Sequence, residues 1–96
     1  MRQIIYRSLT TSESGRAADD IPDIVREAAP RNGLEGITGL LYTEDDAFLQ
    51  EIEGPIDSVF DLMARLKNDA RHRDLTILVD RPIEEREFGD WTMIHR

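Results

Sequence analysis

Apolar residues recur along this chain at two spacings, and the switches between them mark its elements. Arg2 to Leu9 (RQIIYRSL) carries its aliphatics at the centre of a short extended run, which predicts a strand. The polar stretch Thr10 to Asp20 (TTSESGRAADD) has the composition of a flexible loop. Beyond it, Ile21, Ile24, Val25 and Ala28 recur at helical spacing, with Asp19 or Asp20 as N-cap and Pro22 tolerated in the first turn. Pro30 is expected to end that helix. Gly36 to Thr43 and Ala47 to Glu53 read as two strands of a hairpin, joined by the acidic turn Glu44 to Asp46. Pro55 opens a second helix, running to about Asn68, on which Ile56, Val59, Phe60, Met63 and Leu66 form one apolar stripe. Leu75 to Val79 (LTILV) is short and β-branched, hence a strand, and Phe88 to Ile94 (FGDWTMI) supplies a last one.

The resulting order, βαββαββ, predicts an α+β sandwich of ferredoxin-like type, with two helices packed on one face of a mixed or antiparallel sheet. No linker, repeat or low-complexity tract divides the chain, so residues 1–96 read as a single domain. A domain of 96 residues buries only about 60–65 % of its unfolded surface, and a bound cofactor would add stability. Many unrelated functions use this architecture, so function must come from particular residues.

Composition removes several classes of function. The net charge of -8 argues against a nucleic-acid partner and against an anionic membrane surface, and any anionic ligand would need locally clustered arginines. There are no cysteines, which excludes thiol chemistry, disulfides and Cys-ligated metal. His72 and His95 are too few for an all-His metal site. The apolar runs are far shorter than the roughly 20 residues of a membrane span, and a soluble cytoplasmic protein is expected.

Chemistry concentrates in FLQEIEGP, Phe48 to Pro55. Strand alternation puts Phe48, Gln50 and Ile52 on one face and Leu49, Glu51 and Glu53 on the other. A buried amide needs partners for both its donor and its acceptor, so Gln50 is either a ligand-recognising group or a core glutamine satisfied by backbone.

Five motifs, in order, resemble the BLUF family of flavin-binding blue-light sensors: the tyrosine of IIYRSL, the asparagine of RNGLEGITGLL, the glutamine of FLQEIEGP, the NDARHRDL stretch and the terminal EREFGDWTM. The resemblance covers nearly the whole chain. It implies FAD held non-covalently between the two helices, in a sensor with no catalytic residues. The family's photoactive tyrosine falls on Tyr6, and its switching amide on Gln50. Light would drive electron and proton transfer from Tyr6, and Gln50 would rotate or tautomerise, changing the flavin's hydrogen bonds until dark recovery. Asn32 matches the asparagine that pairs with the flavin edge, placed just beyond the first helix. Arg65, Asp69, Arg71 and His72 match the region that meets the ribityl chain, the phosphate and the ring face. Ile24 and Val25 would give the ring apolar cover, and Trp91 and Met93 would relay the signal along the last strand.

Each of these residues also has an ordinary reading. Tyr6 suits a half-buried strand aromatic, Asn32-Gly33 a turn or helix stop, the Arg65–His72 region an exposed helix terminus, and Trp91 and Met93 core closure. Pro30 and Ala28, the latter where some relatives carry serine, depart from the family pattern. The chain ends at Arg96, so a sensor module cut from something longer and one that binds a separate effector both fit. The partner is a downstream effector or output domain, with homo-oligomerisation left open. Two rival functions remain: a small dimeric α+β barrel enzyme of the cofactor-free monooxygenase type, using Tyr6, Asn32 and His72 as the cleft, and a flavin-free interaction module.

Overall fold

In the computed structural model, which describes residues 1–88 together with the backbone of Ile94–His95, five strands form one sheet in the order β4-β1-β3-β2-β5. The strands are β1 (Arg2–Thr10), β2 (Thr38–Glu44), β3 (Ala47–Gly54), β4 (His72–Pro82) and β5 (Ile94–His95). All neighbouring pairs are antiparallel except β2 and β5, which are parallel. Helices α1 (Ile21–Glu35) and α2 (Ile56–Lys67) pack on one face. The expected α+β architecture is thus the one the chain adopts. Trp91 and Met93 lie outside the described residues, as does most of the predicted last strand.

The first helix does not stop at Pro30; it runs on to Glu35, so Asn32 lies inside its last turn and not beyond it. Pro30 removes one backbone donor and its ring lies on the solvent side, while burial of Asn32 to 1 % exposure anchors the turn that follows. The stop signal is Gly36. It adopts φ 72, and the carbonyl of Asn32 accepts from the N–H groups of both Gly36 and Ile37, the latter being the 6→1 bond of a Schellman motif. Nor is Thr10–Asp20 wholly loop. Ala17–Asp20 forms a 3-10 turn whose Ala17 is fully buried, and Asp20 caps α1 by position while its carboxylate accepts from the Thr10 hydroxyl at 2.9 Å.

The buried stripe of α2 is Val59, Leu62, Met63 and Leu66. Ile56 and Phe60, expected in that stripe, are 48 % and 45 % exposed. The Phe60 ring instead receives the Arg2 guanidinium at 5.7 Å. Strand β4 is longer than the predicted Leu75–Val79, because β1 offers its whole free edge for pairing.

The far face of β3 is polar yet covered. Glu53 accepts from Gln3 Nε2 at 3.1 Å and from the backbone N–H groups of Glu87 and Phe88, while the Arg86 guanidinium donates to Thr38 Oγ1, Glu53 O and Gly36 O. The segment after β4 therefore folds back over the hairpin. Gly54 allows the turn after α1 to approach, since a Cβ there would sit 2.9 Å from Gly36 O and 3.2 Å from Ile37 Cα. Gly54→Ala is expected to cost about 1–3 kcal/mol, read as a lower urea-unfolding midpoint. An unchanged midpoint would mean that the turn moves aside freely.

Candidate functional site

The core under the helices is divided. Beneath α2, Ile4, Tyr6, Ile37, Ile52, Val59, Leu62 and Met63 form one cluster, and beneath α1, Ala17, Ile21, Leu41 and Phe48 form another. Between them the buried residues are polar: Ser8, Asn32 and Gln50. Two adjoining cavities, of about 40 and 180 Å³, follow this seam. The smaller is walled by Tyr6, Ser8, Leu41, Phe48 and His72, the larger by Glu27, Ala28, Arg31, Asn32, Leu62 and Arg65. Ile24, Gln50, Leu66, Asp69 and Arg71 border both.

Strand register places the two central side chains. Tyr6 pairs with Gln50 across β1 and β3, and Gln50 pairs with Leu41 across β3 and β2, so all three project toward the helices. The Tyr6 hydroxyl donates to Gln50 Oε1. Burial pushes the phenol's pKa well above its ordinary value, the Asp69 carboxylate adds to this, and Arg71 opposes it. Tyr6 therefore stays a neutral hydrogen-bond donor through the physiological range. With its oxygen engaged by the phenol, the Gln50 amide turns its NH2 group away from Tyr6.

His72 opens β4 beside this pair. Its ring meets Tyr6 edge-on, with centroids 6.2 Å apart. Its Nε2–H donates to the Leu66 carbonyl, and Nδ1 lies 2.9 Å from the Ser8 hydroxyl, so one imidazole ties β4, α2 and β1 together.

The cleft mouth carries three arginines, each matched by carboxylates. Arg71 forks onto Asp69, with Nη2 at 2.6 Å from Oδ2, and reaches Glu27 of α1 at 2.9 Å. Arg65 of α2 donates to Glu35 of α1 at 3.1 Å, and Arg31 approaches the other oxygen of Glu35 at 3.4 Å. The Arg71 hydrogen bonds hold Asp69 below the usual carboxylate range, and Arg65, ahead of Arg31, does the same for Glu35. The mouth thus presents cations to an anionic tail only by releasing carboxylates.

Of the residues singled out from sequence, Tyr6, Ile24, Asn32, Gln50, Arg65, Asp69, Arg71 and His72 converge on this cleft. Val25 packs against the α1 cluster without lining either cavity. Sequence reasoning missed Ser8, Leu41, Phe48, Leu62 and Leu66 as walls, and Glu27, Arg31 and Glu35 at the mouth. Simple spacings carry most of these: Ser8 is two residues from Tyr6 on a strand, and Ile24, Ala28, Asn32 and Glu35 climb one helix face. Apolar walls, inner amides and an ion-paired rim suit a flat heteroaromatic ring with hydrogen-bonding edges and an anionic tail.

Comparison with known proteins identifies the family of the chain. The family model described as BLUF, sensors of blue-light using FAD, matches residues 1–94. The beta subunit of photoactivated adenylate cyclase from Euglena gracilis is 39% identical over 91 residues, which is 94% of this chain and 10% of the cyclase subunit. The chain thus spans about a tenth of the length of the curated relatives it matches. Among solved structures, the dark state of the BLUF protein BlrB superposes with a TM-score of 0.88 at 33% identity, covering 98% of this chain and 70% of that one. Klebsiella pneumoniae BlrP1 with FMN and cyclic diGMP superposes with a TM-score of 0.87 at 29% identity, covering 99% of this chain and 25% of that one.

Proposed function

The chain belongs to the BLUF family of flavin-binding blue-light sensors, and from that premise we propose that it is a sensor and not an enzyme, holding oxidised FAD between α1 and α2. The observation that carries this reading is the polar seam through a divided core, with the Tyr6 hydroxyl bonded to Gln50 at its centre. Asn32 and Gln50 would meet the ring edge, Ile24 its face, and Arg65 and Arg71 the phosphates.

Excited by blue light, bound flavin supplies a strong oxidant. Tyr6 is the phenol within reach of that site and keeps its proton, so it would be the residue that gives an electron and a proton to the excited flavin. Once the proton leaves, the Tyr6 oxygen can only accept, and it faces the carbonyl of Gln50, which also only accepts. That repulsion favours rotation or tautomerisation of the amide, which brings a donor toward Tyr6. After the electron and proton return, a phenol that can both donate and accept tolerates the rearranged amide. The altered hydrogen bonding at the cleft would then last, and with it a red-shifted absorption, until dark recovery.

His72 offers no support for an enzyme that needs a general base, since Leu66 O and Ser8 engage both its ring nitrogens. The signal would pass to a downstream effector or output domain, of the kind the cyclase relative's name implies. A cytoplasmic location is part of the same proposal. No described helix is long and apolar enough to cross a membrane. The test is the colour of the purified protein. A yellow preparation that releases FAD on denaturation and red-shifts after a blue pulse is expected, while a colourless one that takes up no added flavin would sink the reading.

A further inference from the structure

The rim of the cleft is electrically balanced before any ligand arrives. Arg31, Arg65 and Arg71 face Glu27, Glu35 and Asp69, and in a chain of net charge -8 an incoming phosphate meets no surplus cation there. Binding a phosphate is therefore an exchange, in which one carboxylate must yield its arginine.

The three carboxylates are not equally exchangeable. Asp69 lies two residues from Arg71, accepts from its backbone N–H at 2.9 Å as well as from its guanidinium, and moves with it as one unit. Glu27 is largely exposed and touches an Arg71 that Asp69 already holds, so its loss changes little. Glu35 differs from both. It reaches across from α1 to Arg65 of α2, 30 residues away in sequence, and its second oxygen holds Arg31. Among the described residues it is the carboxylate partner of Arg65, one of the guanidiniums that border the larger cavity.

We propose that Glu35 is the specificity-determining residue for the cofactor's tail: a resident anion on Arg65 that the flavin phosphate must displace, and that sets how strongly this chain prefers FMN and FAD over riboflavin. This rests on the flavin-site reading above. Because the displaced carboxylate is itself a good partner, the phosphate gains only the difference between two charge-assisted contacts. Neutralising Glu35 leaves the cation in place and removes the competitor.

The experiment titrates the flavin-free protein, its Glu35→Gln and Arg65→Ala variants and the double variant with riboflavin, FMN and FAD, following quenching of flavin fluorescence at low salt. Glu35→Gln is expected to tighten FMN and FAD by about two- to fivefold and to leave riboflavin unchanged. Arg65→Ala is expected to weaken the two phosphorylated flavins only, and Glu35→Gln added to Arg65→Ala to change nothing. Thermal unfolding of the flavin-free variants verifies that each is folded, and salt titration of the parent protein gives a second reading that needs no variant. Equal changes for all three flavins, or unchanged FMN and FAD in folded Glu35→Gln, would overturn the proposal while riboflavin binding upholds the site. A parent protein that binds none of the three flavins would overturn both.

Discussion

Tyr6→Phe is expected to abolish the light-induced red shift while leaving flavin bound, and to lengthen the flavin's fluorescence lifetime. The variant keeps the ring that fills the α2 cluster and removes only the hydroxyl that donates to Gln50 Oε1. Phenylalanine has no proton to transfer and is a far poorer electron donor, so the trigger for amide rearrangement is lost. Leaving the buried Gln50 oxygen without this donor costs about 1–3 kcal/mol, visible as a lower unfolding midpoint in a protein that still folds. Gln50→Leu should lose the shift by the other route, because an aliphatic side chain has nothing to rearrange. Absorption difference spectra after a blue pulse read both variants. A normal photocycle in Tyr6→Phe would move the donor elsewhere, and one in Gln50→Leu would remove the amide from the mechanism.

Glu51→Leu is expected to make the protein more stable in mild alkali and to flatten its pH dependence. Glu51 is 4 % exposed on the far face of β3, between Ile5 and Leu40 on the neighbouring strands, and neither carboxyl oxygen has a hydrogen-bond partner among the described residues. Burial raises its pKa to about 8, with the charges of Glu53 and Glu87 adding to the rise and Arg86 opposing it. The sign follows from this raised value: the folded protein holds a proton that the unfolded chain releases at the ordinary glutamate value. Stability from this group is complete below the unfolded value, declines as pH climbs between the two, and is gone above about pH 8. The slope is at most about 1.4 kcal/mol per pH unit. Urea unfolding at about pH 5.5, 7 and 8.5 should show that decline in the parent protein and lose it in Glu51→Leu. Parallel curves would mean that Glu51 is ionised and solvated in the folded state.

Alternation alone could not reveal the burial of Glu51. Periodicity correctly assigns Glu51 and Glu53 to the face opposite Gln50. Among the described residues the segment Ile83 to Phe88 folds over that face, and its Glu87 and Phe88 backbone N–H groups donate to Glu53. Pro30 marks a similar limit. The local rule that proline ends a helix is overridden because the following turn buries Asn32 and finds its own stop at Gly36.

From the sequence by itself come the order of the elements, the two helices on one sheet face, and the residue types of a flavin-like cleft in family order. These rest on periods of about 2 and 3.6 residues and on short motifs, which are local. Only the tertiary structure decided that Tyr6 and Gln50, 44 residues apart, share a register and a hydrogen bond. It also decided that α2 turns Leu62 inward and Phe60 outward, and that Arg65 and Arg71 meet carboxylates of α1 already in place. Strand register, helix rotation and ion-pair choice are set by contacts between distant segments competing for the same core and the same charges, and no local window of the chain contains both competitors.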